Sequence, residues 1–213
     1  RTIAVSAELS RVAASAASRD QAMKKLLLAA VAAGCAASAT AADVTVAAQG
    51  NSTSGGAGAL ALHLSSGQEY SVTVDPADFW NAGNLPRWSN ADGLKVDLFY
   101  SAGMDADIPV YANGTKIGAD FPDWSQGGLV APYGSLVGSF DGGAHFFLIG
   151  TSYSGNAPVG GGDLRLYYFD SNNGDNTGSI MARVAAVPEP ESYALMLAGL
   201  GLMGAAARRR RSA

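Results

Sequence analysis

The stretch Phe169-Asp-Ser-Asn-Asn-Gly-Asp-Asn-Thr-Gly-Ser179 sets two carboxylates and three side-chain amides between two apolar segments. A hard cation such as Ca2+ takes oxygen ligands of these types, on a backbone able to curl round it. Gly174 and Gly178 would permit the curl. An EF-hand is excluded: counting from Asp170, the sixth position is Asp175 where that loop needs Gly, and the twelfth is Met181 where it needs Glu. Composition alone leaves a second reading open, a solvated hairpin loop closed by Asx turns with no ion.

The elements that would hold this loop are short strands. Alternation and turn spacing predict strands over 44–48, 57–64, 70–74, 95–101, 109–112, 135–140, 145–151, 164–169 and 179–184, with no sustained helical stripe between them. In Asp163-Leu-Arg-Leu-Tyr167, Leu164 and Leu166 share one face and Arg165 the other. Asn113-Gly114 is expected to turn a two-residue hairpin between Val110-Tyr111 and Thr115-Lys-Ile117. Such strands over residues 43–187 predict an all-β body, a jelly-roll-like antiparallel β-sandwich with one core large enough to stand without disulfides. Residues 50–58 are the one stretch that reads as a linker.

Both ends read as addresses. Met23-Lys-Lys25, an apolar run over 26–33, and small residues up to Ala41 and Ala42 predict a signal peptide over 23–42 with cleavage near Ala41 or Ala42. Residues 1–22 lie upstream, and the native chain is expected to begin at Met23. Cys35, the one cysteine, lies in this signal, so no disulfide or thiolate chemistry is expected in the body. Between Asp43 and Val187 there are 14 acidic and 5 basic residues, a net of 5 − 14 = −9. That charge repels phosphate backbones, excludes nucleic acid as a partner and favours cations.

At the other end residues 193–207 are uncharged and, as a helix, would extend about 23 Å at 1.5 Å per residue, a short transmembrane span. Pro188-Glu189-Pro190 stand before it, and Arg208, Arg209, Arg210 and Arg211 after it prefer the cytoplasmic side. The order of motif, span and arginines over 188–213 resembles the PEP-CTERM sorting signal, also catalogued as an ice-binding-protein C-terminal domain, a title that carries no evidence of ice binding. The resemblance implies a transient inner-membrane anchor, processing by an exosortase, and release to the cell surface or extracellular matrix.

The body carries a second likeness. Tyr133-Gly-Ser-Leu-Val-Gly-Ser-Phe140, His145-Phe-Phe-Leu-Ile-Gly150, Leu164-Arg-Leu-Tyr-Tyr-Phe-Asp170 and Asp175-Asn-Thr-Gly-Ser179 resemble the second half of the PA-IL-like calcium-dependent galactose-binding lectins. The resemblance implies one Ca2+ held by the side chains of Asp170, Asp175 and Asn176, with a backbone carbonyl from Asn172, Asn173 or Gly174. It implies a further carbonyl from the region of Trp80 to Gly83, and sugar hydroxyls that complete the shell. Trp80 and Trp124, in expected loops, are candidate platforms for a sugar ring. Neither His63 nor His145 sits beside a nucleophile signature, so the chain is read as a non-enzyme, a lectin-like module for exopolysaccharide or glycans. The alternative is a structural matrix protein with no specific ligand.

Overall fold

The computed structural model describes residues 40–187 together with 196–201, 203, 204 and 208. The body, Ala39–Pro188, is one of two compact units. Its strands are, in order, β1 (Thr40–Ala47), β2 (Ala59–Leu64), β3 (Glu69–Val74), β4 (Trp80–Asn81), β5 (Trp88–Ser89), β6 (Leu98–Phe99) and β7 (Lys116–Gly118). There follow β8 (Asp123–Gln126), β9 (Leu129–Pro132), β10 (Leu136–Ser139), β11 (Phe147–Leu148), β12 (Ser152–Asn156), β13 (Gly162–Tyr168) and β14 (Thr177–Ala186). Every ladder between them is antiparallel.

One sheet runs β12-β3-β14-β4-β5, with β1 also paired to β14; the other runs β11-β10-β13-β2. A shared core joins them: Val46, Tyr70, Val72, Ile180 and Val184 from the first meet Leu64, Leu136, Leu164, Leu166 and Tyr168 from the second. Leu164 and Leu166 are fully buried on the face that period two assigned them, and each such leucine contributes about 1.5–3 kcal/mol. At its far end β13 is buried on both faces, because Tyr167 and Phe169 join a second cluster with Val137 and Phe146.

β14 is the strand on which the body is organised. It pairs with β1 from Thr40↔Ala186 to Ala47↔Ser179. On its other side it meets β3 (Ala186↔Tyr70 to Ala182↔Val74) and then β4 (Gly178↔Trp80, Thr177↔Asn81). Between those two partners its amides would go unpaired, and carboxylates fill the gap. Met181 N donates to Asp78 Oδ2 at 2.7 Å, and Ser179 N to Asp107 Oδ2 at 2.8 Å. Burial raises the Asp78 pKa, the Met181 N–H opposes that, and Asp105 and Asp107 add to the rise.

Two expectations are corrected. Residues 109–112 form no strand: Pro109 lacks an N–H, Val110 is 88% exposed, and the partner of β7 is β6. The Asn113-Gly114 turn therefore sits at the mouth of that pairing, where Gly114 N donates to Tyr100 O. Residues 50–58 are no linker, since Thr53 N donates to Tyr168 O and Tyr168 N to Asn51 O. The residues named for the expected cleavage, Ala41 and Ala42, lie in β1, which starts at Thr40.

In the tail, residues 196–201, 203, 204 and 208 are helical. Among the described residues no helix is long and apolar enough to cross a membrane. Of the span expected over 193–207, residues 193–195, 202 and 205–207 lie outside the described residues. So do Pro188, Glu189, Pro190, Arg209, Arg210 and Arg211, and residues 1–39, which hold the upstream extension and most of the expected signal peptide.

Candidate functional site

The carboxylate and amide loop joins β13 to β14, and the fold fixes both of its ends. At the start, Thr53 Oγ1 donates to Asp170 O at 2.9 Å and accepts from Asp170 N at 3.1 Å, while Gly134 N donates to Phe169 O. At the far end Gly178, with φ +82°, makes the entry into β14 beside Trp80. Gly174, the other glycine expected to curl the loop, has no positive φ; its carbonyl instead accepts from Gln49 Nε2 at 3.5 Å.

Two of the three expected side-chain ligands are deeply buried: Asp170 is 4% exposed and Asn176 is 2% exposed. Ser171 N donates to Asp170 Oδ1 at 2.7 Å. Burial pushes the Asp170 carboxyl pKa up, hydrogen bonds from Asn176, Ser171 and Asn172 lower it, and the Asp175 charge adds to the rise. Asn176 Nδ2 donates to Ala48 O at 3.2 Å, yet Asn176 Oδ1 has no partner among the described residues. A buried acceptor left unpaired costs about 1–3 kcal/mol, so this oxygen is available to an electropositive group.

Asp175 comes to the same place from the other side of the loop. Asn172 Nδ2 donates to its Oδ1 at 3.0 Å, and its Oδ2 lies so close to Gly83 that a Cβ there would collide with it. Gly83 has φ +115°. The region of Trp80 to Gly83 is thus beside the loop. Asn81, opposite Thr177 in the β4–β14 pair, donates to Thr177 Oγ1 at 3.4 Å and leaves a second buried amide oxygen without a partner among the described residues. Asn172 is engaged through its side chain, whose Oδ1 also accepts from Gly174 N at 3.1 Å; Asn173 O accepts from Asn176 N at 3.4 Å. Among the described residues no three His, Cys, Asp or Glu side chains converge as a metal cluster, so any ion here would depend on amide and backbone oxygens.

The two tryptophan candidates part company. Trp80 is fully buried in β4, edge-on to Tyr168 at 4.5 Å, with Nε1 donating to Gly134 O at 2.8 Å. It is a core residue and cannot stack on a sugar. The turn residues around it, Asp75-Pro-Ala-Asp78 and Ala82-Gly83, concealed a strand of two residues. Trp124 is half-buried on β8, its ring 5.7 Å from that of Tyr133. Tyr133 in turn lies 5.3 Å from Phe121, over which the Arg87 guanidinium sits at 4.7 Å. Tyr133 Oη donates to Ser171 Oγ at 3.1 Å, so this aromatic row abuts the loop. The histidines lie elsewhere: His63 pairs with Asp163 and His145 with Asp141, each at 2.7 Å and exposed.

Asn81, Gly83, Thr53 and Tyr133 are the participants that the sequence did not single out individually. The lectin resemblance pointed to the neighbourhood of Asn81 and Gly83; Thr53 and Tyr133 carried no local signal of a role here.

Comparison with known proteins bears chiefly on the tail. Residues 186–211 match the PEP-CTERM protein-sorting motif. The motif implies an exported protein with a C-terminal sorting signal and an exosortase as its processing partner. No curated protein matches the chain. Among solved structures the chain is similar to the EclA N-terminal domain, described as a PllA-like lectin, at 14% identity and a TM-score of 0.39, over 69% of this chain and 95% of that one.

Proposed function

We propose that the body, read as a jelly-roll-like sandwich, is a calcium-dependent carbohydrate-binding module that exopolysaccharide or surface glycans engage outside the cell. The observation that carries this reading is the pairing of a buried carboxylate, Asp170, with the unpartnered oxygen of Asn176 on a loop closed by Asp175 against Gly83. Asp170, Asp175 and Asn176 would hold the ion, which would offer Asn176 Oδ1 a partner, offset the buried charge, and take two sugar hydroxyls as further ligands. The Trp124 and Tyr133 rings, next to Ser171, offer the C–H face of the sugar an apolar surface, while the net acidic body attracts the cation. The reaction class is binding, with no covalent step.

Glycan-array binding in millimolar CaCl2 that EDTA abolishes is the expected result. A second reading has one observation in its favour. Asp170 and Asp175 already accept hydrogen bonds from Ser171 and Asn172, so the loop can close on itself as part of a structural matrix protein. Silence on the array with and without calcium, alongside normal incorporation into matrix, would favour that reading and reject the first.

A further inference from the structure

We infer that the exported chain is cut between Ala39 and Thr40, so that the mature protein begins at the first residue of β1. The inference rests on reading the N-terminal segment as a signal peptide and is independent of any ligand. Two A-x-A sites stand in series, Ala37-Ser-Ala39 and Ala39-Thr-Ala41, and either satisfies a signal peptidase. The body distinguishes them. Only the first leaves all eight residues of β1 on the chain.

Thr40, Ala41 and Ala42 face Ala186, Ala185 and Val184 on β14. The opposite edge of that same stretch is taken by β3, through Tyr70, Ser71 and Val72. A cut after Ala41 would strip two residues from one side of the central strand, and a cut after Ala42 three. The backbone groups so freed belong to β14, whose Val184 and Ala186 are 0% and 4% exposed. The side chains of Thr40 and Ala41 are themselves exposed, so the ladder is what they contribute.

The test is N-terminal sequencing and intact mass of the full chain after export by its host, with two variants. Ala41→Leu spoils the second site only and should leave Thr40 as the N-terminus; Ala37→Leu spoils the first only and should shift or stop processing. A mature N-terminus at Ala42 or Asp43, or processing blocked by Ala41→Leu and unaffected by Ala37→Leu, overturns the inference while leaving the signal-peptide reading intact. An exported chain that still begins at or before Met23 overturns both. As a readout free of the peptidase, the body beginning at Asp43 should melt about 2–4 °C or more below the body beginning at Thr40. Equal melting temperatures would also overturn the inference, since Thr40 to Ala42 would then add nothing to β14.

Discussion

Replacing Asp170 by Asn removes a charge at almost constant size, and so separates what that charge does for the fold from what it does for an ion. Asp170 is 4% exposed, and burial is the main cause that raises its pKa above the ordinary 3.8. Between the unfolded and the raised folded pKa the native state binds more protons than the unfolded one. The stability contributed by Asp170 therefore falls as pH rises through that window, and the penalty is complete above the folded pKa. At neutral pH without a cation, Asp170→Asn should accordingly melt at the same temperature as the parent or higher. Calcium reverses the order. Weak extracellular sites have Kd of about 10⁻⁴ to 10⁻³ M, so about 10 mM free calcium should stabilise the parent by about 1.4–2.7 kcal/mol. For a body of this size that is a rise of about 3–11 °C in Tm. Thermal melts in EDTA and in calcium, with magnesium as control, should show this rise in the parent and less than about a third of it in Asp170→Asn, on the same linkage. A parent whose Tm ignores calcium, or a variant that rises as far as the parent, would refute the reasoning.

Further outcomes follow from the same geometry. Gly83→Ala should abolish the calcium shift by displacing Asp175 and should itself cost about 1–3 kcal/mol, from the φ of +115°, measured by denaturant melts in EDTA. Trp124→Ala should weaken glycan binding by about 2–10-fold, the worth of one aromatic face, while the calcium shift stays intact. Calcium affinity followed by titration calorimetry should begin to fall on acidification while pH is still above 3.8, because a proton competes for the raised Asp170. Leu166→Ala, at a fully buried position in the shared core, should cost about 2–5 kcal/mol and leave calcium affinity unchanged below the melting temperature.

Sequence reasoning located β1 to β3, β10, β13 and β14, and its ranges 95–101 and 145–151 enclose the two-residue β6 and β11; it missed β12, whose residues alternate in burial but read Ser152-Tyr-Ser-Gly-Asn156, mostly turn-forming types. β4 and β5 have two residues each, too few for any period, and Trp80 and Trp88 inside them looked like loop aromatics. β8 and β9 were hidden because Asp123, Ser125 and Gln126 are polar; their inward neighbour is the cluster of Phe146, Tyr167 and Phe169, which no local window contains. At the site, the residue types of the loop were plain because they are contiguous. Thr53, by contrast, reaches Asp170 across 117 positions, and Asn81 reaches Thr177 across 96. Such contacts depend on the register of β14 with its neighbours, and nothing in a single sequence reports that register.

β14 enters from the oxygen-rich loop at one end and runs into the sorting motif at the other. Its ten residues set those ends about 30 Å apart, at about 3.3 Å per residue. If the proposed site holds a ligand, any pull between that loop and the C-terminal segment would therefore travel along one covalent backbone. The hydrogen-bonded neighbours would brace that line without having to transmit the load.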